Sequence, residues 1–540
     1  MNPLRTAVIA PLLAALVLSF APGTQAMEVL REKFAAGTTP SATPESAVSP
    51  SPAPGATPEE PAPPPAPAVA KRPPVVRVNV TQQSYSFSQP WRKNQASQRQ
   101  GLGVVLPDGR ILVTAGLVAD HTYIELEEPE TARKEKAELA AVDYETNLAL
   151  LSAPAAGFLQ NIPGATLDES AGVGSRVDLV QLEANGAPVN TPATLTTVEV
   201  GPYVLEDSAF LLFRLSVPLQ SRENSFTLPV FKDGALVGLV MRYDPRTQAA
   251  DLVPAPVIAR FLQVASKQPY AGFPRAGLTF SDTRDPQLRR YARLNNGTGG
   301  AYITKVQSGS PAEAAGLKVG DILLRVGDKT IDQDGNYEDA RFGKVSLAHY
   351  VSTLLESGQK VPLAVWRDGA ETNLEITLAP RDREAMISQP YTFDQPPKFV
   401  IVGGIVFTEL SRQFLREWGQ SWTRDAPLRL LYLDRFQSEL RADRGKIVFI
   451  SGVLSGPNTV GYEDLAYEIV DQVNGRPVRS LEDLAAAVDN PPDKFHRIKL
   501  AEDPGLIILD VEASKAEEKR IRDQYRIPKL RQLGTESSNN

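Results

Sequence analysis

The stretch "ENSFTLPVFKDGALVGLVM", Glu223 to Met241, decides the fold. At its centre Pro229-Val230-Phe231 leads into Lys232-Asp233-Gly234, and an apolar run follows from Ala235 to Met241. A D-G pair between two apolar runs is a strong hairpin signal, because a two-residue turn needs residues that tolerate positive φ. Working outward, "GLGVVLPDGRILVTAG" places a second hairpin around Asp108-Gly109, followed by "TYIELEE", "KAELAAVD" and "NLALLSA". Between the two hairpins lie "SRVDLVQLE", "PATLTTVEV" and "AFLLFRLSV". Short strands at regular spacing, bounded by Gly, Pro and Asp, predict a mainly β fold built as a pair of barrels. "PAPVIARFLQVAS", Pro254 to Ser266, predicts a closing helix with Val257, Ile258, Phe261 and Leu262 on one face.

The chain has 540 residues, a net charge of −7 and no cysteine. At ~150 residues per domain this allows about three to four units. The mild acidity argues against a nucleic-acid partner. The lack of cysteine excludes disulfides, thiol catalysis and a lipid-modified N-terminal cysteine. Residues 1–26 carry Arg5, an apolar run from Ala7 to Phe20, and "APGTQA" ending in small residues. That pattern predicts a secretory signal peptide, since the run falls short of the ~20 apolar residues of a spanning helix. The mature chain is expected outside the cytoplasm, periplasmic or extracellular, with no membrane span after cleavage. Residues 27–74 are rich in Pro, Ala, Ser and Thr, too poor in apolar area to offset ordering entropy, and predict a semi-extended tether. No metal-ligand cluster, phosphate loop or paired-carboxylate spacing stands out, so no metal or cofactor is expected.

In order and spacing, these hairpins resemble the trypsin-like serine proteases of the HtrA (Deg) family, in particular the plant Deg-type branch with two PDZ modules. "SFSQPWRKNQ", Ser86 to Gln95, is similar to that branch's lead-in segment, and the likeness runs from Val75 to about Tyr525. The resemblance implies a trypsin-like double barrel over 75–268. The family's nucleophile turn reads G-N-S-G-G-P; anchored on Pro229, its serine position falls on Phe226 and its glycines on Asn224, Thr227 and Leu228. The family's base hairpin, I-L-T-N-x-H-V-V, counted from Ile111-Leu112, puts Gly116 at the histidine. The orienting aspartate of D-x-x-T-D-L-A-L-L corresponds to Asn147 in "DYETNLALL". Ser225 is the residual nucleophile candidate, but a serine needs a base within hydrogen-bond reach. The chain has three histidines, His121, His349 and His496, and His121 reads as an exposed loop residue. With Gly116, Asn147 and Phe226 at the triad positions, and with the turn's glycines gone, the expectation is an inactive homologue of a serine endopeptidase.

"AGLTF", Ala276 to Phe280, and the run "GAYITKVQSGSPAEAAGLKVGDILLRVGDKTI" resemble a PDZ domain, placed at 273–381. By that resemblance Gly277, Leu278, Thr279 and Phe280 form the carboxylate-binding loop. "SLAHYVSTLLESG" forms the helix walling the groove, with Leu347, Val351 and Leu354 on one face. Leu354 reads as core and His349 as solvated. A second, atypical PDZ is expected over 394–515, with a helix presenting Leu481, Leu484, Ala485 and Val488, and with Gly404, Ile405, Val406 and Phe407 as a candidate groove edge. Residues 516–540 read as a charged C-terminal tail, with a solvated helix over Glu512 to Gln532. PDZ domains take a chain end as an added strand. The leading expectation is therefore an extracytoplasmic pseudoprotease scaffold binding polypeptide C-termini or unfolded segments, in a trimer-based homo-oligomer or a mixed oligomer. The alternatives are an active serine-type endopeptidase of envelope protein quality control, or a regulatory subunit of an active relative.

Overall fold

The computed structural model describes residues 72–534 apart from 153–156, 206–207, 220–226, 268, 295–298, 441–444 and 503–504. The expected signal peptide, nearly all of the expected tether, and Asn224, Ser225 and Phe226 lie outside the described residues.

Seven strands form the first sheet: β1 (Val75–Gln82), β2 (Ser97–Val105), β3 (Ile111–Thr114), β4 (His121–Glu127), β5 (Lys134–Lys136), β6 (Glu138–Asp143) and β7 (Leu148–Ser152). Their order is β5-β4-β1-β2-β3-β7-β6. Strand alternation explains why "NLALL" is apolar at every strand position. Ala149 and Leu151 enter one core with Ile111, Val113, Val76 and Val78, while Leu148 and Leu150 enter a second core with Leu112. That second core is shared with a closed barrel. Its strands are β8 (Arg176–Leu182), β9 (Pro188–Pro202), β10 (Ala209–Ser216), β11 (Leu228–Lys232), β12 (Ala235–Asp244) and β13 (Ala249–Pro254), in the order β10-β13-β12-β11-β8-β9. The β11–β12 turn has Asp233 at φ 52 and Gly234 at φ 86, the pair of positive angles a tight hairpin requires. A short helix, α1 (Ala115–Val118), follows β3, and α2 (Ala255–Ala265) closes the barrel with Val257, Ile258 and Phe261 fully buried.

The first C-terminal module contains β14 (Leu278–Ser281), β15 (Ala301–Val306), β16 (Ile322–Val326), β17 (Lys329–Thr330), the hairpin β18 (Asn336–Asp339) and β19 (Gly343–Ser346), β20 (Lys360–Arg367) and β21 (Ala370–Thr377). The main sheet runs β14-β15-β16-β20-β21, so β14 is an edge strand. Helices α3 (Pro286–Tyr291) and α4 (Pro311–Ala314) flank it; α4 opens with Ser310 accepting from the Glu313 N–H and with proline at its first position. The groove helix begins as α5 (Leu347–His349) and continues as a π-helical turn, Tyr350–Leu354. Two expectations fail here. The wider turn shifts the helical phase, so Leu354 is 40% exposed and Leu355 is buried in its place. His349 is fully buried, its Nδ1 2.7 Å from the Tyr337 hydroxyl, because β18 and β19 fold over that side of the helix. The barrel grips the same helix: Arg260 of α2 donates to the Leu355 carbonyl (2.7 Å).

The second module has two sheets. One is β24-β23-β22-β29, from β22 (Phe399–Val402), β23 (Ile405–Glu409), β24 (Val448–Val453) and β29 (Arg531–Gln532). The other is β26-β25-β27-β28, from β25 (Val470–Val473), β26 (Arg476–Pro477), β27 (Phe495–Leu500) and β28 (Leu506–Asp510). Four short helices, α6 (Arg412–Leu415), α7 (Trp422–Asp425), α8 (Leu428–Arg435) and α9 (Gln437–Leu440), are inserted between β23 and β24. Helix α10 (Leu481–Asp489) buries Leu481, Leu484 and Ala485. The charged run forms α11 (Val511–Tyr525), which is not simply solvated: Val511 and Ile521 are buried, and the chain beyond it returns as β29 to pair with β22. The lead-in segment straps this module to the first sheet. Phe87 packs among Phe414 and its neighbours, its N–H donating to Glu417 (3.2 Å), and Trp91 meets Phe399 edge-on at 6.2 Å.

Candidate functional site

At the junction of the two β units, Asn147 is buried in a left-handed conformation at φ 57, which asparagine tolerates better than most residues. Its Oδ1 accepts from the Gly116 N–H (2.9 Å), so the two expected triad positions do meet, through an amide and a backbone group. The next residue, Leu117, lies close to Thr227. A Cβ placed on Gly101 of β2 would stand 2.9 Å from a Leu117 methyl and 3.2 Å from the Thr227 nitrogen, so Leu117 and the turn converge there. Leu117 is fully buried. Beneath it the Thr114 and Thr227 hydroxyls bond at 2.6 Å, and the Thr227 carbonyl accepts from the Leu102 N–H (3.2 Å). Arg99 donates to the Gly116 carbonyl, and burial lowers its pKa. Among the described residues no histidine stands at this centre.

The histidines are engaged elsewhere. His121 is the first residue of β4 rather than a loop residue; its Nδ1 lies 2.9 Å from the Val118 carbonyl and 3.9 Å from Asp394. His349 is in the first module, and His496 on β27 bonds Asn474 (3.3 Å).

The turn leading to Asn147 is held from outside the sheet. Tyr270 donates to the buried Asp143 (2.5 Å), and Tyr144 donates to Asp394. Burial, with Glu145 close by, raises the Asp143 pKa. Glu145 pairs with Arg275 (2.6 Å) and Arg381 (3.4 Å). Burial alone would raise its pKa, but the two guanidinium groups hold it below the usual range.

Arg275 directly precedes the loop of the first module. Gly277 sits at φ 77, and a Cβ there would fall 2.3 Å from Ser310 Cβ, so only glycine fits. Leu278 and Phe280 pack toward the core while Thr279 between them is exposed. A cleft of about 680 Å³ follows this segment; Gly277, Leu278, Thr279 and Phe280 line it together with Leu347 and Val351. The six residues expected at this groove thus come together. In the second module they do not. Strand β23 is interior, paired with β24 on one side and with β22 on the other (Val400↔Phe407, Val402↔Ile405). Helix α10 packs against both β22 and β23, so the chain's own β22 takes the edge expected to be open at Gly404, Ile405, Val406 and Phe407.

Residues 274–378 and 388–532 each match a family described as PDZ domain. The chain is 25% identical over 464 residues to "Protease Do-like 2, chloroplastic" of Arabidopsis thaliana, covering 85% of this chain and 74% of that one. It is 24% identical over 329 residues to "Probable periplasmic serine endoprotease DegP-like" of Marinomonas sp. (strain MWYL1), covering 58% and 64%. It carries two PDZ domains in a chain similar to HtrA/Deg proteases over most of its length. Among solved structures, "HtrA-type protease AlgW with decapeptide" aligns at 19% identity and a TM-score of 0.43, over 57% of this chain and 96% of that one. The second family match extends to residue 532, taking in α11 and β29. Within the HtrA/Deg frame, sequence reasoning missed Leu117. The run Ile111-Leu112-Val113 is one residue longer than the I-L of the family's base hairpin, and a count from Thr114 reaches Leu117 instead of Gly116.

Proposed function

We propose that this HtrA/Deg homologue is a non-catalytic, extracytoplasmic scaffold that holds polypeptide C-termini in the groove of its first PDZ domain. The observation that carries the reading is the 680 Å³ cleft beside the edge strand β14. A peptide adding to β14 gains main-chain hydrogen bonds along one strand. Its carboxylate meets the loop end of the cleft, which Gly277 and Arg275 line. Leu323, Val326 and Leu363 give the cleft an apolar lining suited to a terminal aliphatic or aromatic side chain.

The first sheet and the closed barrel support this groove without contributing chemistry. Asn147 gives its acceptor to the Gly116 N–H, Leu117 is fully buried near Thr227, and the three histidines are bonded to Val118, Tyr337 and Asn474. Export rests on the signal-like segment at residues 1–26, and among the described residues no helix is long and apolar enough to cross a membrane.

The test is fluorescence anisotropy with the full mature chain and fluorescein-labelled Gly-Ser-Gly-Ser-Thr-Val-Val-Leu, as free acid and as C-terminal amide. The free acid is expected to bind at least about tenfold more tightly, because charge-assisted hydrogen bonds to the carboxylate are lost on amidation. Gly277→Val, which pushes a side chain into Ser310, removes the binding. Equal affinities for acid and amide would overturn the reading.

A further inference from the structure

The cleft along β14 has a second wall, supplied by the other PDZ domain. Asp434, Arg435, Gln437 and Ser438, from the end of α8 and the start of α9, line the same cleft as Leu278 and Thr279. This wall is fixed in place. Glu439 of α9 pairs with Lys305 (3.3 Å), the β15 residue in register with Thr279. Arg412 of α6 and Asp434 of α8 form a buried ion pair at 3.1 Å, and Gln437 accepts from the Ser388 N–H (3.1 Å).

The charges along the cleft are mostly engaged. Lys305 faces Glu439, Arg412 faces Asp434, Arg275 and Arg381 face Glu145, and Asp382 accepts from the Ala385 N–H (3.0 Å). Arg435 differs: it is exposed and, among the described residues, has no acidic partner. Helix α9 stands level with Thr279, two residues along β14 from Gly277. A strand rises ~3.3 Å per residue, so a peptide whose carboxylate lies at Gly277 passes this wall about two or three residues before its last residue.

We propose that the helical insertion of the second PDZ domain is the far wall of the first domain's peptide groove, and that Arg435 selects chain ends bearing an acidic side chain two or three residues before a free apolar C-terminal residue. The inference rests on the reading of the cleft as a chain-end site. It makes the ligand an acidic, apolar-ended polypeptide terminus read by both domains.

The experiment titrates fluorescein-labelled Gly-Ser-Gly-Ser-Xaa-Xaa-Val-Leu free acids, with Xaa as Glu, Ser or Lys, onto the full mature chain and its Arg435→Glu variant at low ionic strength. Arg435 is exposed, so the variant keeps its fold, and a circular-dichroism melt checks this. The wild type is expected to prefer the Glu peptide over the Lys peptide by roughly two- to five-fold, the range of an exposed ion pair. The preference fades in high salt and reverses in Arg435→Glu. The same preference in wild type and variant, or none in either, would overturn the role of Arg435 while leaving the groove as a chain-end site. Binding of none of the three peptides would overturn the chain-end reading itself, and this inference with it.

Discussion

On the proposed reading, Leu117 and Asn147 together let the frame persist without a histidine and an aspartate at its centre. A leucine with no exposed surface contributes packing that an imidazole could not match, and an amide oxygen satisfies the Gly116 N–H without needing a charged partner. Leu117→Ala is expected to lower stability by about 3 kcal/mol through lost burial and a residual cavity. Gly116→Ala, on a helical residue at ordinary φ, is expected to change it by less than about 1 kcal/mol. Urea unfolding of the two variants checks the assignment, and a larger effect at Gly116 would reverse it. His349 supplies a pH signature. Its burial, only partly offset by Asp339, depresses the pKa to about 4. In the unfolded chain it titrates near 6.5, so between those values the unfolded state binds the proton and the folded state does not. Its effect on stability is absent above about pH 7, grows as pH falls through 6.5, and levels off near pH 4. The loss is about 2 kcal/mol between pH 7 and 5. Thermal melts at both pH values should show this difference shrinking in His349→Gln. An unchanged difference would mean that other groups carry it.

At the scale of elements, much was legible because local chemistry and tertiary need agree. The Asp233-Gly234 turn, the α2 stripe and the strand alternation around "NLALL" follow from periodicity and turn residues alone. The groove helix shows where that legibility stops. An α-helical count puts Leu354 on the buried face with Leu347 and Val351, but the π-helical turn inserts an extra residue, and no side chain in "YVSTL" announces it. Leu355→Ala is therefore expected to cost about 2–3 kcal/mol and Leu354→Ala less than about 0.5 kcal/mol, read as shifts in denaturant midpoint. The opposite ranking would restore the simple helical phase. In the second PDZ domain, "KFVIVGGIVFTEL" does announce two strands. That the first of them pairs with the second and closes its free edge is a matter of non-local packing against α10, beyond the reach of strand propensity. The same limit hid the buried His349, whose cover comes from a hairpin earlier in the chain.

Over the whole molecule, the contacts that sequence could not show are those between domains. Tyr270, Arg275, Arg381 and Asp394 hold the turn before Asn147, and Phe87 and Trp91 hold the second PDZ domain. Each joins residues far apart in the chain, so none leaves a local pattern. Together they fix the first PDZ groove against the first sheet and the closed barrel, while the junction of those two units holds no described histidine. The central claim is that the molecule binds chain ends and cuts nothing. Its most direct test is the release of soluble fluorescence from unfolded, fluorescein-labelled casein by the purified mature chain, run with a saturating apolar-ended peptide in its groove and compared with Ser225→Ala. The account predicts identical background traces for the two proteins. Release by the wild type that Ser225→Ala abolishes would contradict it.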